Sequence, residues 1–273
     1  MKNLNNNKET EENSSNYTSS KYVTPDGVPA DVVIFTIDFE DQGHQELPKA
    51  DVKVLMVRRK KWPYQGCWAL PGGFSNPSET LLNTAIRELN EETNIEGLHI
   101  EHLDVYSGLL EDNTARDPRG WVISSAYFAL VNENYLKSRE AADDAAEVEL
   151  VSLKDLLSMQ RGNCDGEYHQ NEGKLAFDHN KIITDAYNKV KEKMLTTDIA
   201  KEFLQKEFTL AELYNVIQII VPSFNEEISN FRRKILQRKI IKEVPGRTSN
   251  KYSKRHAQLF SFTGEVPVVS IYS

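Results

Sequence analysis

The sequence has few cysteines and no long apolar run, and these absences narrow the class of protein. Cys67 and Cys164 are too few for a disulfide framework or a cysteine-based zinc site. No stretch approaches the roughly 20 consecutive apolar residues that a transmembrane helix needs. No apolar segment follows the start, as one would in a signal peptide. We therefore expect a protein of the reducing cytoplasm without a membrane partner.

Large apolar side chains are also nearly missing from the first residues. Segment 1–21 is rich in Asn, Glu and Ser, and we expect it to be a disordered polar arm. The remaining chain is long enough for one sizeable core and a second, small one. Because the composition shifts around Leu195, we expect one domain over 22–195 and another over 196–273.

Acidic residues outnumber basic ones except in one block of the chain. The chain carries a net charge of −8, yet residues 231–255 hold ten lysines and arginines against a single acid, Glu243. That block therefore carries +9 and the rest of the chain −17. A basic block on an acidic protein indicates an anionic partner.

The motif richest in chemistry runs from Gly73 to Ile95. Glu79 follows Gly73 after five residues, and Arg87-Glu88-Leu89-Asn90-Glu91-Glu92 begins seven residues later. On a helix, the last three glutamates share one face. Such a face is either an ordinary solvated acidic surface or a site for a hard divalent cation, for which carboxylate oxygens are preferred ligands. Arg87 can pair with Glu79 or Glu91 and hold a carboxylate in place.

This spacing resembles the Nudix signature of nucleoside-diphosphate hydrolases. Asn94 stands where the family has glycine, a mild change because Asn also tolerates the left-handed conformation. The resemblance implies Mg²⁺ (or Mn²⁺) bound by Glu88, Glu91 and Glu92 with a backbone carbonyl of Gly72 or Gly73. It also implies catalytic roles for Arg87 and Glu79 and for Glu91, which can share a metal or take a proton from the attacking water.

Other candidate site residues lie outside this motif. Arg58 and Arg59, at the end of an apolar strand, are candidates for contact with phosphate or ribose, or else are surface charges. The aromatic candidates for base stacking are equally candidates for the core. They are Tyr64, Trp68 and Trp121. The general base can come from a separate loop, and its candidates are Asp143, Asp144 and Glu147. We expect His179 to be a structural histidine paired with an aspartate.

Apolar patterns predict an α/β domain for the first part of the chain. The predicted strands are 29–37, 52–57, 100–106, 121–131 and 146–150. The predicted helices are one that starts at Asn76-Pro77 and carries the glutamates, and a second over 175–194. Strands between two helices indicate an α/β/α sandwich with a mixed sheet, which is also the fold that the Nudix resemblance implies.

The second part predicts a winged helix-turn-helix. Thr209 to Glu212 is a capping box that opens an apolar helix, and Ser223 to Glu226 is a second box opening a basic helix that ends at Lys239. Strands at 240–244 and 259–262, joined by a basic loop, complete the pattern. The alternative is a solvated basic helix packed on the acidic domain. The candidate DNA contacts are Arg232, Arg233, Lys234, Lys239 and Arg247. A module of this size usually binds palindromic half-sites as a homodimer.

The combination resembles the Nudix-related transcriptional regulators of NAD metabolism. The segments that carry this resemblance are 230–234, 116–120, 143–147 and 177–179. Two hypotheses follow. The first is a Mg²⁺-dependent hydrolase that cleaves a nucleoside diphosphate derivative, with ADP-ribose giving AMP and ribose 5-phosphate. The alternative is an ADP-ribose-sensing DNA-binding regulator with weak or no hydrolysis.

Overall fold

A computed structural model describes residues 23–40, 48–132, 136, 147–252 and 255–264. The predicted polar arm and the candidate bases Asp143 and Asp144 lie outside these residues. Among the described residues, none of the helices has the length and apolarity to cross a bilayer.

A seven-stranded mixed sheet forms the centre of the first domain. Its main strand order is β3-β2-β1-β6-β5, with β4 paired to β1 and β7 paired to β2. β1 runs parallel to β6 and antiparallel to β2. The strands are β1 (Pro29–Glu40), β2 (Lys49–Arg58), β3 (Trp68–Ala69), β4 (Gly72–Phe74), β5 (Glu101–Tyr106), β6 (Ser124–Leu130) and β7 (Val148–Ser152). The last three begin one to three residues later than predicted.

Side chains of β1 alternate between two apolar layers. Val32 and Ile34 pack with Ala85 and Leu89 of α1 (Leu81–Thr93). The neighbouring positions of β1 face the opposite layer, which contains α2 (Leu153–Ser158) and α3 (His179–Thr196). The domain is therefore the predicted α/β/α sandwich.

The glutamate-bearing helix α1 starts later than Asn76-Pro77, so that expectation was wrong. Its N-cap is Thr80, whose side chain accepts a hydrogen bond from the amide of Asn83. The amide of Asn76 is instead bound by Glu79 at 3.0 Å. At the other end, Asn94 adopts the left-handed conformation with φ 54°, as expected from its place after the helix.

Helix α3 also starts later than the predicted Leu175. Residues before it are recruited to the sheet edge, because the amide of Ala176 donates to the carbonyl of Trp68 at 2.9 Å. Phe177 then takes a positive φ of 51°, which a helix cannot contain. The helix therefore begins at His179.

The C-terminal part is a winged helix domain. It contains α4 (Leu210–Ile220), α5 (Ile228–Gln237) and a three-stranded sheet of β8 (Phe208–Thr209), β10 (Ala257–Phe262) and β9 (Ile241–Ser249), in that order. The predicted Thr209 capping box is confirmed. β9 is longer than predicted and includes Pro245-Gly246, where an irregularity in the pairing with β10 absorbs the extra residues.

The second predicted capping box was wrong. α5 begins at Ile228, and its N-cap residue Glu227 makes no side-chain cap hydrogen bond. Glu226 is used elsewhere, since its carboxylate pairs with Lys234 at 2.9 Å and its carbonyl accepts from Tyr214 at 2.6 Å.

The two domains share one apolar core. Leu213, Val216 and Ile217 of α4 belong to the same buried cluster as Phe35 of β1 and Ile183 of α3. The winged helix domain is therefore packed directly on the sheet and helix layer of the first domain.

Candidate functional site

Arg87 binds three acidic side chains of the motif that runs from Gly73 to Ile95. Its Nε and Nη2 donate to the Glu79 carboxylate at 2.9 and 3.0 Å, and its Nη1 donates to Glu88 at 2.6 Å and to Glu91 at 2.9 Å. Nη2 also donates to the carbonyl of Phe74 at 3.0 Å. Hydrogen bonds from Arg87 lower the pKa of Glu79 to about 2, and the same bonds raise the pKa of Arg87. The arginine therefore ties α1 to the loop before it.

Glu88 and Glu92 form the more buried edge of this acidic group. Burial raises the pKa of Glu88, and burial with the nearby charge of Glu88 raises the pKa of Glu92 to about 8, although a hydrogen bond from the amide of Gly72 opposes the shift. A Cβ atom at Gly73 would lie 2.4 Å from the Glu88 carboxylate carbon. A side chain at position 73 would therefore displace the Glu88 carboxylate from its present position.

The predicted metal ligands lie close together, but two of them, Glu88 and Glu91, are paired with the Arg87 guanidinium. Among the described residues, no three acidic, histidine or cysteine side chains converge as a ready metal site. Arg87 engages Glu88 and Glu91, whereas Glu92 is held by the Gly72 amide. Glu91 is the most open of these carboxylates, with 56% of its side chain exposed.

A basic cavity adjoins the acidic edge. One part is lined by Arg59, Lys60 and Lys61 together with Gly72 and Glu92. A contiguous part shares Arg59, Leu70 and Gly72 with it and is lined further by Asp31, Gly73, Phe74, Arg116, Asp117, Arg119, Phe177 and His179. The cavity thus places several guanidinium groups beside carboxylates, a combination suited to a phosphate-bearing ligand and its counter-ion.

The two candidate arginines at the end of β2, Arg58 and Arg59, have different surroundings. Arg59 lines both parts of the cavity, donates to the carbonyl of Pro63 at 2.6 Å and lies over the ring of Phe177. Burial, and then the charge of Arg119, lower the pKa of Arg59. Arg58 also reaches the cavity wall, but its guanidinium is held by the Glu147 carboxylate at 3.0 Å.

The surroundings of Arg58 also include two aromatic rings and a second acid. The guanidinium lies over Trp68 and Tyr168, and it pairs with Glu172 at 3.4 Å. Trp68 is buried in the core, and the candidate base Glu147 serves here as the ion-pair partner of Arg58. The roles predicted for these three residues remain predictions, and Arg59 is the arginine that lines both parts of the cavity.

Tyr64 and Trp121, the other aromatic candidates, differ in exposure. Tyr64 is buried and makes an edge contact with Phe177 at 4.9 Å between ring centroids. Trp121 is 43% exposed, and its amide is held by Asp26 at 2.6 Å. Of these two rings, Trp121 is the one that presents a face to solvent.

A buried ion pair and a buried histidine form the back wall of the cavity. Arg116 donates to Asp178 through Nε at 2.9 Å and Nη2 at 2.7 Å. His179 Nδ1 accepts from the amide of Leu70 at 2.9 Å, while its Nε2 lies 3.9 Å from Asp31. Burial lowers the pKa of His179, so the ring is neutral, with the proton on Nε2. His179 is therefore buried and bound to a backbone amide, whereas the predicted pairing with an aspartate is only an approach of 3.9 Å to Asp31.

Arg119, Phe74 and Asp31 were not among the candidate site residues chosen from the sequence. Arg119 pairs with Asp117 at 2.6 Å and lies over the Phe74 ring at 4.5 Å. Burial would raise the pKa of Asp117, but the hydrogen bonds from Arg119 outweigh it and lower the pKa. Asp31 is buried and accepts from the Ser124 hydroxyl. The sequence feature that could have identified Asp31 is a charged residue inside the apolar strand β1.

The basic helix α5 presents cations on one face and apolar side chains on the other. Phe231 and Ile235 are buried, whereas Arg232 and Arg233 are exposed. Lys234 is half-buried and pairs with Glu226. The amphipathic helix therefore packs on α4 and keeps two arginines at the surface.

The other two candidate DNA contacts lie beyond α5. Lys239 is exposed and takes a positive φ of 57° in the turn before β9. Arg247 is exposed on β9 and pairs with Glu207 at 2.9 Å, so an anionic partner would compete with that glutamate for it. Four of the five predicted cations are thus exposed, on α5, the following turn and the wing strand.

Each of the two parts of the chain matches a family model. A family model described as the NUDIX domain matches residues 30–170, and one described as the NrtR DNA-binding winged helix domain matches residues 200–262. The chain is 29% identical over 248 residues to the "ADPR responsive transcriptional repressor NtrR" of Acinetobacter baylyi, with 90% of this chain and 85% of that protein covered.

Two further relatives match about half of the chain and most of it, respectively. Over 135 residues the chain is 40% identical to the "ADP-ribose pyrophosphatase" of Methanocaldococcus jannaschii, with 50% of this chain and 66% of that protein covered. The crystal structure of Shewanella oneidensis NrtR complexed with a 27mer DNA has a TM-score of 0.66 and 27% identity, and it covers 89% of this chain and 98% of that one.

Proposed function

Because the chain belongs to the Nudix family and carries an NrtR-type winged helix domain after its Nudix domain, we propose that it is a DNA-binding regulator whose Nudix domain binds ADP-ribose. The observation that carries this proposal is the exposed arginine pair on the amphipathic helix α5, within the segment that matches the DNA-binding domain. The similarity to a repressor named as responsive to ADP-ribose, over 90% of the chain, supports it.

The helix-turn-helix geometry supports duplex DNA as the anionic partner. The second helix of such a motif enters the major groove, and residues on its exposed face contact bases and phosphates. On α5 these residues are Arg232 and Arg233, with Asn230 bound to Arg233 at 3.4 Å. Lys239 and Arg247 would contact the flanking backbone. We expect a homodimer on half-sites about one helical turn apart.

The basic cavity of the Nudix domain supports ADP-ribose as the ligand. Its pyrophosphate carries charge that Arg59 and Arg119 would neutralise, and Phe74 offers apolar ring surface in the cavity wall. The choice among nucleotides rests on the relatives, because the cavity by itself favours only a phosphate-bearing ligand.

A second candidate function is hydrolysis of the bound nucleotide. All charges of the Nudix motif are intact, and the chain is 40% identical over 135 residues to an ADP-ribose pyrophosphatase. Glu88, Glu91 and Glu92, with a carbonyl of Gly72 or Gly73, would hold Mg²⁺ or Mn²⁺. The donor set fits such a cation, since Glu88 and Glu92 are hard oxygen donors with raised pKa values that a divalent charge would offset.

In that reaction the cation would supply positive charge against the pyrophosphate. Arg87 would position the carboxylates through the bonds it already makes to Glu79, Glu88 and Glu91. A carboxylate on an open edge, such as Glu91, would take the proton of the attacking water. The products would be AMP and ribose 5-phosphate.

The proposed DNA binding is tested by selecting, from a random-sequence library, the duplex that the protein binds most tightly. We expect the selected duplex to bind at least about 1,000-fold more tightly than a scrambled one. Replacing both Arg232 and Arg233 with Gln should weaken binding and reduce the salt dependence by about two phosphate contacts. Lys189→Gln, an exposed change on α3, is the matched control. Unchanged affinity in the double variant would refute the assignment of α5.

Hydrolysis is tested by AMP release from ADP-ribose in the presence of Mg²⁺. We expect turnover that disappears in Glu92→Gln and persists in Glu96→Gln, a change outside the motif. Tight ADP-ribose binding without turnover would refute the second candidate while leaving the regulator intact. Equal turnover in Glu92→Gln and the wild type would remove the Nudix carboxylates from the mechanism.

A further inference from the structure

Helix α3 begins in the wall of the basic cavity. Asp178, its N-cap residue, holds the Arg116 guanidinium, and His179 holds the amide of Leu70. Arg116, Leu70 and His179 all line the cavity. A ligand that enters between Arg59 and Arg119 therefore meets the first turn of α3.

The same helix touches the winged helix domain farther along. Tyr187 lies eight residues after His179, a rise of about 12 Å. Its hydroxyl donates to the carbonyl of Ile220 at 2.8 Å. Ile220 is the last residue of α4, so its carbonyl has no partner within that helix. The hydroxyl of Tyr187 thus caps α4 at the point where the chain turns toward α5.

The turn that follows is held firmly to α5. Tyr214 donates to the carbonyl of Glu226, and its ring meets Phe231 of α5 in a T-shaped contact at 5.2 Å. Phe224 in the turn also packs on Phe231. α4, the turn and α5 therefore move together when Ile220 is displaced.

We propose that Tyr187 is a positioning residue that couples the nucleotide cavity to the orientation of the basic helix α5. α3 has no glycine or proline between His179 and Thr196, so a shift of its first turn is carried along a regular helix. α3 and α4 also contribute apolar side chains to one buried cluster, whose packing is non-directional, whereas the hydrogen bond to Ile220 is directional. This inference rests on the regulator function proposed above.

A second hydrogen bond between the domains is weaker in geometry. Asn215 of α4 donates to the carbonyl of Pro48 at 3.5 Å, at the start of β2. Pro48 belongs to the sheet side of the interface and not to the cavity wall. The Asn215 bond therefore does not connect α4 to the helix that begins in the cavity wall, whereas the Tyr187 bond does.

The test compares the full chain with Tyr187→Phe, which removes the hydroxyl and keeps the ring. The Kd of the selected duplex is measured without ADP-ribose and at saturating ADP-ribose, and the ratio of the two values is the coupling factor. ADP-ribose is assayed for AMP after each measurement. We expect the wild-type factor to differ from one, and the Tyr187→Phe factor to be about fivefold closer to one, the effect of one ordinary hydrogen bond.

Two further measurements distinguish coupling from general damage. ADP-ribose affinity in the absence of DNA should stay within about twofold of wild type in Tyr187→Phe, which also reports that the variant is folded. Tyr106→Phe is the matched control, since it removes a hydroxyl that donates to Asp185 of the same helix α3 within the first domain. It should leave the coupling factor at the wild-type value.

The outcomes separate the inference from the function on which it rests. A wild-type coupling factor of one would overturn both. A wild-type factor different from one with the same factor in Tyr187→Phe would overturn the inference alone. Equal loss of coupling in Tyr187→Phe and Tyr106→Phe would also overturn it, because any loosening of α3 would then suffice.

Discussion

The buried ion pair at the back of the cavity provides the sharpest prediction for stability. In Arg116→Met the Asp178 carboxylate would keep its position with no cation beside it. Both side chains are nearly inaccessible, at 5% and 6% exposure, and they share hydrogen bonds of 2.9 and 2.7 Å. Burial alone lowers the pKa of Arg116, and the bonds to Asp178 more than offset that effect and raise it. The pair therefore exists because each charge compensates the other.

The expected loss can be bounded from this environment. Removing one partner of a buried pair usually costs about 3–5 kcal/mol. Asp178 also sits at the N-terminus of α3, where the helix dipole stabilises a carboxylate by about 0.5–1 kcal/mol. We therefore expect Arg116→Met to lower the free energy of unfolding by about 3 kcal/mol. The apolar double variant Arg116→Met with Asp178→Leu should recover most of the loss.

Urea denaturation followed by circular dichroism measures these differences. Lys189→Met is the control, because its pair with Glu192 is exposed on the same helix and should contribute less than about 0.5 kcal/mol. A loss in Arg116→Met as small as in the control would refute the claim that the cavity wall depends on charge compensation. A double variant as unstable as the single one would refute it equally.

Three further predictions concern a cap, a cavity residue and a buried ring. Asn94→Ala should destabilise the protein by about 1 kcal/mol in thermal or urea unfolding, because φ at this position is 54°. Asn94→Gly should be neutral or stabilising for the same reason. Equal effects of the two changes would contradict the role of Asn94 as a left-handed C-cap. Arg59→Gln should weaken ADP-ribose binding by about tenfold or more in calorimetry, with Arg161→Gln, outside the cavity wall, as the control. His179 has a folded-state pKa below its ordinary value of 6.5, so its contribution to stability is complete above pH 6.5. That contribution is lost as the pH falls from 6.5 toward the folded pKa, by up to about 1.4 kcal/mol per pH unit. His179→Asn should remove this part of the slope in unfolding measured across pH, and an unchanged slope would contradict the burial of a neutral ring.

Local patterns predicted the elements whose determinants lie within a few residues. The spacing of Glu88, Glu91 and Glu92 follows the helix period, and α1 indeed carries all three. The Thr209 capping box is confirmed because both partners lie within one turn. The box at Ser223 failed although its residue types were right, since Glu226 found a stronger partner in Lys234 eight positions away.

Long-range partners explain what the sequence could not predict. Arg58 and Arg59 are adjacent and chemically alike, yet Glu147, 89 positions away, holds Arg58 while Arg59 lines the cavity. Arg116 and Asp178 meet across 62 positions, and no local periodicity relates them. The first turn of α3 was likewise misplaced because pairing with Trp68 competes with helix formation.

The most direct test of the account is the affinity of ADP-ribose for the free protein and for the protein saturated with its selected duplex. If nucleotide and DNA bind coupled sites, ADP-ribose Kd must change by the same factor as the duplex Kd changes with ADP-ribose. Isothermal titration calorimetry in both states measures this factor. We predict matching factors that differ from one. Equal ADP-ribose affinity in the two states would contradict the claim that the Nudix domain controls the winged helix.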